Sequence, residues 1–194
     1  MIIGVDLDEV LTEFVRKFII FHNQNYGTNL NFEDIKKYFF YDLLGISLEE
    51  DVRRQYKFFE TDIFKQIQPV NGAVNGVGKL KSNFEMVVIT ARPNEIKDKT
   101  IKWIERYFPD IFSQVILTNK HSLNKDAKRE KHDICVEIGV NLMIEDSLAT
   151  AKKCASRGIK VLLFDKPWNQ TESLPNGIKR VYSWEEIEVE TIKK

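Results

Sequence analysis

Apolar positions along this chain follow two rhythms. Met1–Val5, Phe84–Thr90, Gln114–Thr118, Asn141–Asp146 and Lys160–Phe164 are short runs apolar at nearly every position, which predicts strands buried on both faces, and Arg180–Ser183 predicts a last short strand. Between them the apolar spacing turns helical. Val10, Phe14, Phe18 and Phe21, widened by Val15, Ile19, His22 and Tyr26, predict a helix over 9–26 that Gly27 closes. Further helices are predicted at 73–81, 94–108, 128–138 and 148–157, and from Trp184 onward. Ser47 with Glu50, and Ser183 with Glu186, read as capping boxes, the first opening a helix over 48–60.

No strand signal falls between Val5 and Phe84, a gap too long for one crossover helix. The segment between them is instead rich in aromatics, including Phe32, Tyr38, Phe39, Phe40, Tyr41, Tyr56, Phe58 and Phe59. It reads as a small helical cap over 26–68, inserted after the first strand, with Pro69-Val70-Asn71-Gly72 marking the return. Residues 1–25 and 69–194 then make the core. The expected fold is α/β: a doubly wound parallel sheet in three Rossmann-like layers.

Composition narrows the class. With 194 residues, 43% of them hydrophobic, and a formal net charge of +0, the chain suits one globular core. The even charge gives no reason to expect nucleic acid or a membrane surface as partner. Cys135 and Cys154 are too far apart to suggest a zinc knuckle or disulfide framework and read as reduced core thiols. A core strand at the start, with no basic leader or long apolar run, points to the cytoplasm.

In open α/β sheets ligands gather at the carboxyl ends of the strands. Those ends carry Asp6 and Asp8; Thr90, Ala91 and Arg92; Thr118, Asn119 and Lys120; and Glu145, Asp146 and Ser147. Any one of these is ordinary: acids before a helix commonly serve as caps. Together they are the parts of a metal-assisted phosphate site. Oxygen ligands suit magnesium, a carboxylate can attack phosphorus, a second carboxyl can move the proton, and a hydroxyl and a lysine can hold phosphoryl oxygens.

The order Asp-Leu-Asp-Glu-Val-Leu-Thr, Val-Val-Ile-Thr-Ala-Arg, a helical lysine, and Ile-Glu-Asp-Ser resembles the motifs of the haloacid dehalogenase superfamily, chiefly magnesium-dependent phosphohydrolases. His22-Asn23, Tyr26-Gly27-Thr28, Thr90-Ala91-Arg92-Pro93, Trp103 and Phe164-Asp165-Lys166-Pro167-Trp168-Asn169 narrow the likeness to the 5′(3′)-deoxyribonucleotidase-like branch. The resemblance implies a phosphomonoester hydrolase working through an aspartyl-phosphate, with a small phosphomonoester, such as a nucleoside monophosphate, as substrate. Asp6 would be the nucleophile and Asp8 the acid/base. Thr90, Ala91 and Arg92 would bind phosphate, and Mg2+ would sit on Asp6, Asp8 and Asp146 with Glu145 in support. Lys131 best matches the motif lysine, with Lys120, Lys125 and Lys128 as competitors. Phe39 and Tyr41 are candidates to line the substrate pocket. Glu9, where relatives often have Gly or Asp, has no assigned role, and Trp168 is expected only to pack its loop. Hydrolysis of a sugar phosphate or other metabolite remains an alternative, as does a receiver-like phosphate-binding module.

Overall fold

The computed structural model describes residues 1–120, 122 and 128–192. Six strands form one parallel sheet: β1 (Ile2–Val5), β2 (Glu85–Thr90), β3 (Gln114–Leu117), β4 (Val140–Glu145), β5 (Lys160–Phe164) and β6 (Ile178–Val181). Their order is β3-β2-β1-β4-β5-β6, so the chain winds outward from β1 in one direction and then, from β4, in the other. The reversal lies between β1 and β4, where the Asp6 amide donates to the Ile144 carbonyl at 2.9 Å. That is the topological switch point at which such sheets bind ligands.

The continuous apolar runs are explained by two covered faces. Alternate side chains of each strand go to opposite sides. Val5, Met86, Val88, Leu142 and Ile144 pack with Val77 and Leu80 of α5 (Ala73–Lys81), Ile104 of α6 (Lys97–Tyr107) and Trp184 and Ile187 of α9 (Trp184–Ile192). Val87, Ile89, Met143 and Val161 pack on the other side with Ile134 and Cys135 of α7 (Lys131–Glu137) and Ala151 and Cys154 of α8 (Leu148–Ser156). Both cysteines are buried and free. Gly4 allows close packing in the central strand, since a Cβ there would lie 2.8 Å from the Met143 sulfur and Met143 would have to shift.

The first helix begins later than its apolar spacing suggests. Helix α1 covers Phe14–Tyr26, and residues 9–12 form a tight turn, with Glu9 at φ +63°. Val10 and Leu11 continue the periodicity, yet they belong to the sheet core, packed in the same cluster as Trp184, whose indole N–H donates to the Val10 carbonyl at 3.0 Å. Helix α1 itself packs with α3 (Leu48–Phe59) and α4 (Asp62–Lys65), next to the short α2 (Phe40–Leu44). Phe18, Phe21, Phe58, Phe59 and Phe64 form one aromatic cluster, with Phe14 against Phe58 edge-on at 5.4 Å between centroids. Helix α1 thus packs with helices of the segment between β1 and β2. The crossings between the two parts are paired: the Glu13 amide donates to the Gln68 carbonyl and the Val70 amide to the Leu11 carbonyl.

Among the described residues, no helix is long and apolar enough to cross a membrane. The Ser47 hydroxyl accepts the Glu50 amide and the Ser183 hydroxyl the Glu186 amide, as their spacing predicts.

Candidate active site

Asp6 leaves β1 at the switch point and is 4% exposed. Its Oδ1 accepts the Leu7 amide at 2.6 Å, and its Oδ2 lies 2.6 Å from the Lys131 ammonium. Lys131, the first residue of α7, also reaches Glu145 Oε2 at 2.9 Å, so one buried cation bridges the ends of β1 and β4. The other oxygen of Glu145 accepts the amides of Asp146 and Ser147, which fixes the turn into α8. Burial, then the charge of Glu145, raises the Asp6 carboxyl well above its usual range despite Lys131. Burial and the charge of Asp6 push Asp146 to about 7. On Lys131, burial opposes the charge, but Asp6 and Glu145 outweigh it and raise its pKa.

Among the described residues, Lys131 is the candidate lysine that meets Asp6. Lys120 lies 3.8 Å from Glu130, Lys128 is exposed, and Lys125 falls outside the described residues.

Asp8 is held from outside β1. Arg92 donates to it twice, at 2.7 and 3.1 Å, and the Thr12 hydroxyl donates at 2.9 Å. The remaining Arg92 nitrogen donates to Thr100, and the guanidinium lies 5.3 Å from the Phe64 ring centre. Arg92 is therefore committed to orienting Asp8 while it lines the cavity. The Thr90 side chain is buried, with its hydroxyl accepting the Arg92 amide at 3.2 Å, and Ala91 lines the cavity beside it.

Glu9 now has a place. The left-handed backbone turns its side chain inward, where Oε1 accepts the Val15 amide at 2.6 Å and caps the first turn of α1. Its other oxygen faces Lys166 at 3.6 Å. Burial raises Glu9 to about 7, against the pull of Lys166.

Trp168 does more than pack a loop. Its indole N–H donates to Asp146 Oδ2 at 3.0 Å, and the Asn169 side-chain Nδ2 donates to the Asp146 carbonyl at 2.8 Å. The loop after β5 thereby fixes Asp146 through both side chain and backbone. A second residue enters from the cap: Tyr38 lies close enough to the cluster for Asp146 to act on it. Its phenol is held well above its ordinary value, first by surrounding protein and then by Asp146, although 36% of its surface is exposed. The aromatic run 38–41 signals this position only weakly, because it does not say which ring faces the strand ends. Phe39 lines the cavity, whereas Tyr41 is absent from its lining. On α2 the inward position is taken by Phe40, and Tyr41 stacks on Phe39 at 5.2 Å.

Asp6, Asp8, Asp146 and Arg92 open into a cavity of about 860 Å3, mouth included, whose walls include Phe14, Phe39, Phe40 and Phe59. Carboxylate oxygens of Asp6, Glu145 and Asp146 lie within 4.8 Å of one another. Three buried acids facing one lysine leave negative charge to be neutralised, and an oxygen-only donor set fits a hard divalent cation.

The family described as 5′ nucleotidase, deoxy (Pyrimidine), cytosolic type C protein matches residues 1–193. The 5′(3′)-deoxyribonucleotidase of Bacillus subtilis is 26% identical over 196 residues, covering 96% of each chain. A nucleotidase of Clostridium acetobutylicum is 25% identical over 190 residues, covering 95% of this chain and 90% of its own. Among solved structures, a haloacid dehalogenase-like hydrolase from Streptococcus pneumoniae superposes with a TM-score of 0.70 at 13% identity, covering 98% of this chain and 97% of that one.

Proposed function

Because the chain belongs to the family of 5′ nucleotidase, deoxy (pyrimidine), cytosolic type C proteins, we propose that it hydrolyses a nucleoside monophosphate through a covalent phosphoryl intermediate on Asp6. It is an enzyme of the phosphatase and nucleotidase kind, and the finer reading rests on one observation. A buried aspartate at the switch point is held by Lys131 at 2.6 Å and opens beneath an aromatic cavity.

Asp6 attacks phosphorus as the ester bond breaks, and the leaving oxygen takes a proton from Asp8. Asp8 then removes a proton from water, which attacks the phosphoryl group and releases Asp6. The Arg92 contacts aim Asp8, while the Thr90 hydroxyl and the Ala91 amide would donate to phosphoryl oxygens. Lys131 keeps Asp6 oriented and supplies positive charge beside it. Asp6 and Asp146, with the Asp8 carbonyl and Glu145 in support, would hold magnesium, which when bound offsets charge on the phosphoryl oxygens. Buried free thiols and the cytosolic description of the family support a cytoplasmic setting.

Phosphate release from a panel of deoxynucleotides, ribonucleotides and sugar phosphates, with and without magnesium, tests the proposal. Release should require the metal, and Asp6→Asn should abolish it. Undiminished turnover by Asp6→Asn removes the proposed nucleophile. A stable phosphoprotein without turnover favours the receiver-like alternative, and preference for sugar phosphates favours the broader metabolite reading.

A further inference from the structure

A second cavity, about 1040 Å3 with its mouth included, adjoins the first. Tyr38, Phe39, Ala91 and Trp168 line both, so the two share a wall at the strand ends. Lys131 also lines the second cavity. Two of the groups assigned above to the phosphoryl site, Ala91 and Lys131, therefore border this space as well.

The cavities differ in charge. Around the first stand Asp6, Asp8, Glu9, Asp51 and Asp146, with Arg92 as the cation among the described lining residues. Around the second, beyond Lys131, stand Lys120, Lys152 and Lys153 against one carboxylate, Glu130. Glu130 lies 2.9 Å from Lys153 and 3.8 Å from Lys120, while Lys152 has no ion pair among the described residues. One acid among three ammonium groups leaves positive charge uncompensated, and a cleft lined by one sign of charge concentrates the opposite ion.

A phosphate freed from Asp6 thus has carboxylates on one side and lysines on the other. Lysine binds phosphate as a compact point charge, without the fixed geometry that a guanidinium imposes. Building on the phosphatase reading of Asp6, we propose that the lysine-lined cavity is a second phosphate subsite beside the phosphoryl group under attack. Its ligand is a phosphate dianion. That dianion is either the inorganic phosphate that hydrolysis releases or the second phosphate of a nucleoside bisphosphate whose first phosphate lies at Asp6.

The double variant Lys120→Glu/Lys152→Glu tests the inference, since both side chains lie outside the machinery assigned to hydrolysis. Calorimetric titration of the magnesium-loaded protein with inorganic phosphate should resolve two sites in the parent. In the double variant one site should weaken by on the order of tenfold, and the difference should shrink at high salt, because the reversed charges act through a screened field. A parent with fewer than two phosphate sites, or two sites unchanged in the variant, overturns the inference. Circular dichroism identifies a variant that fails to fold, and the single variants, each expected to weaken the site about threefold, then decide. Two kinetic assays identify the source of the dianion. Weaker product inhibition by phosphate in the double variant marks the released product. A lost preference for deoxyadenosine 3′,5′-bisphosphate over the 5′-monophosphate marks a bisphosphate substrate, and no change in either assay overturns a part for the subsite in the reaction. If no phosphomonoester is turned over, the hydrolytic reading falls, and the number of phosphate sites still decides the inference.

Discussion

Phe58 and Lys131 are both shut away from solvent, but opposite physics holds them there. Phe58 sits in a cluster of rings with no charge to satisfy, and its burial is favourable by itself. Lys131 sits among Asp6 and Glu145, each charged group disfavoured by burial and tolerable only through its partners. The cap is therefore a region where residues are kept because they stabilise. The strand ends are a region where stabilisation is given up to hold charges at fixed spacing, and raised carboxylates at a cavity mouth are a mark of that exchange.

Lys131→Met should strain this contrast most. It leaves buried carboxylates without their cation and should cost about 3–5 kcal/mol of stability, together with phosphatase activity. A thermal melt and a phosphate-release assay measure both, and an unchanged melt would show that the acids do not depend on Lys131. Phe58→Ala should cost a similar amount, about 3–5 kcal/mol, through lost burial and a cavity. Its effect should fall on denaturant midpoint, with folded protein still hydrolysing a small phosphomonoester. A variant as stable as the parent would deny that the cap is held by packing.

Trp168→Phe keeps an aromatic ring but removes the N–H that orients Asp146. Apparent magnesium affinity should weaken by about 10–100-fold, read from the metal dependence of phosphate release, as is usual when a ligand loses its supporting hydrogen bond. An unaltered metal dependence would separate Trp168 from the site.

The smallest effect belongs to His22 in the cap. Arg54 donates to its Nε2 at 2.9 Å, so Nδ1 carries the proton toward Thr28 Oγ1, also at 2.9 Å. Burial, followed by the charge of Arg54, lowers its pKa from 6.5, so the folded state resists protonation. Stability should be intact above about pH 6.5 and decline as pH falls from there through the depressed folded value. His22→Gln should lose that part of the melting profile, and parallel profiles for parent and variant would reject the mechanism.

Much of the sheet was legible because its strands are apolar on both faces and end in polar residues at regular intervals. Lys160–Phe164 and Ala73–Lys81 carry their limits in local sequence. The turn at residues 9–12 was not legible, since Val10 and Leu11 preserve helical spacing while packing under Trp184, a tertiary fact. Asp6, Asp8 and Asp146 were visible as strand-end acids. Lys131 was singled out from its neighbours only by resemblance. The nearness of Trp168 and Tyr38 to Asp146 depends on how a late loop and the cap fold back over the sheet, and no local spacing records it.

The bond from the Trp184 indole to the Val10 carbonyl joins residues 174 positions apart. It braces the turn that directly follows Asp8, and it comes from α9, far downstream of that turn. A growing chain therefore makes its nucleophile candidate well before the brace for that turn, which is lacking until β6 and the start of α9 have left the ribosome. Nascent chains that stop before Trp184 then carry Asp6 and Asp8 just ahead of a turn that lacks this hydrogen bond.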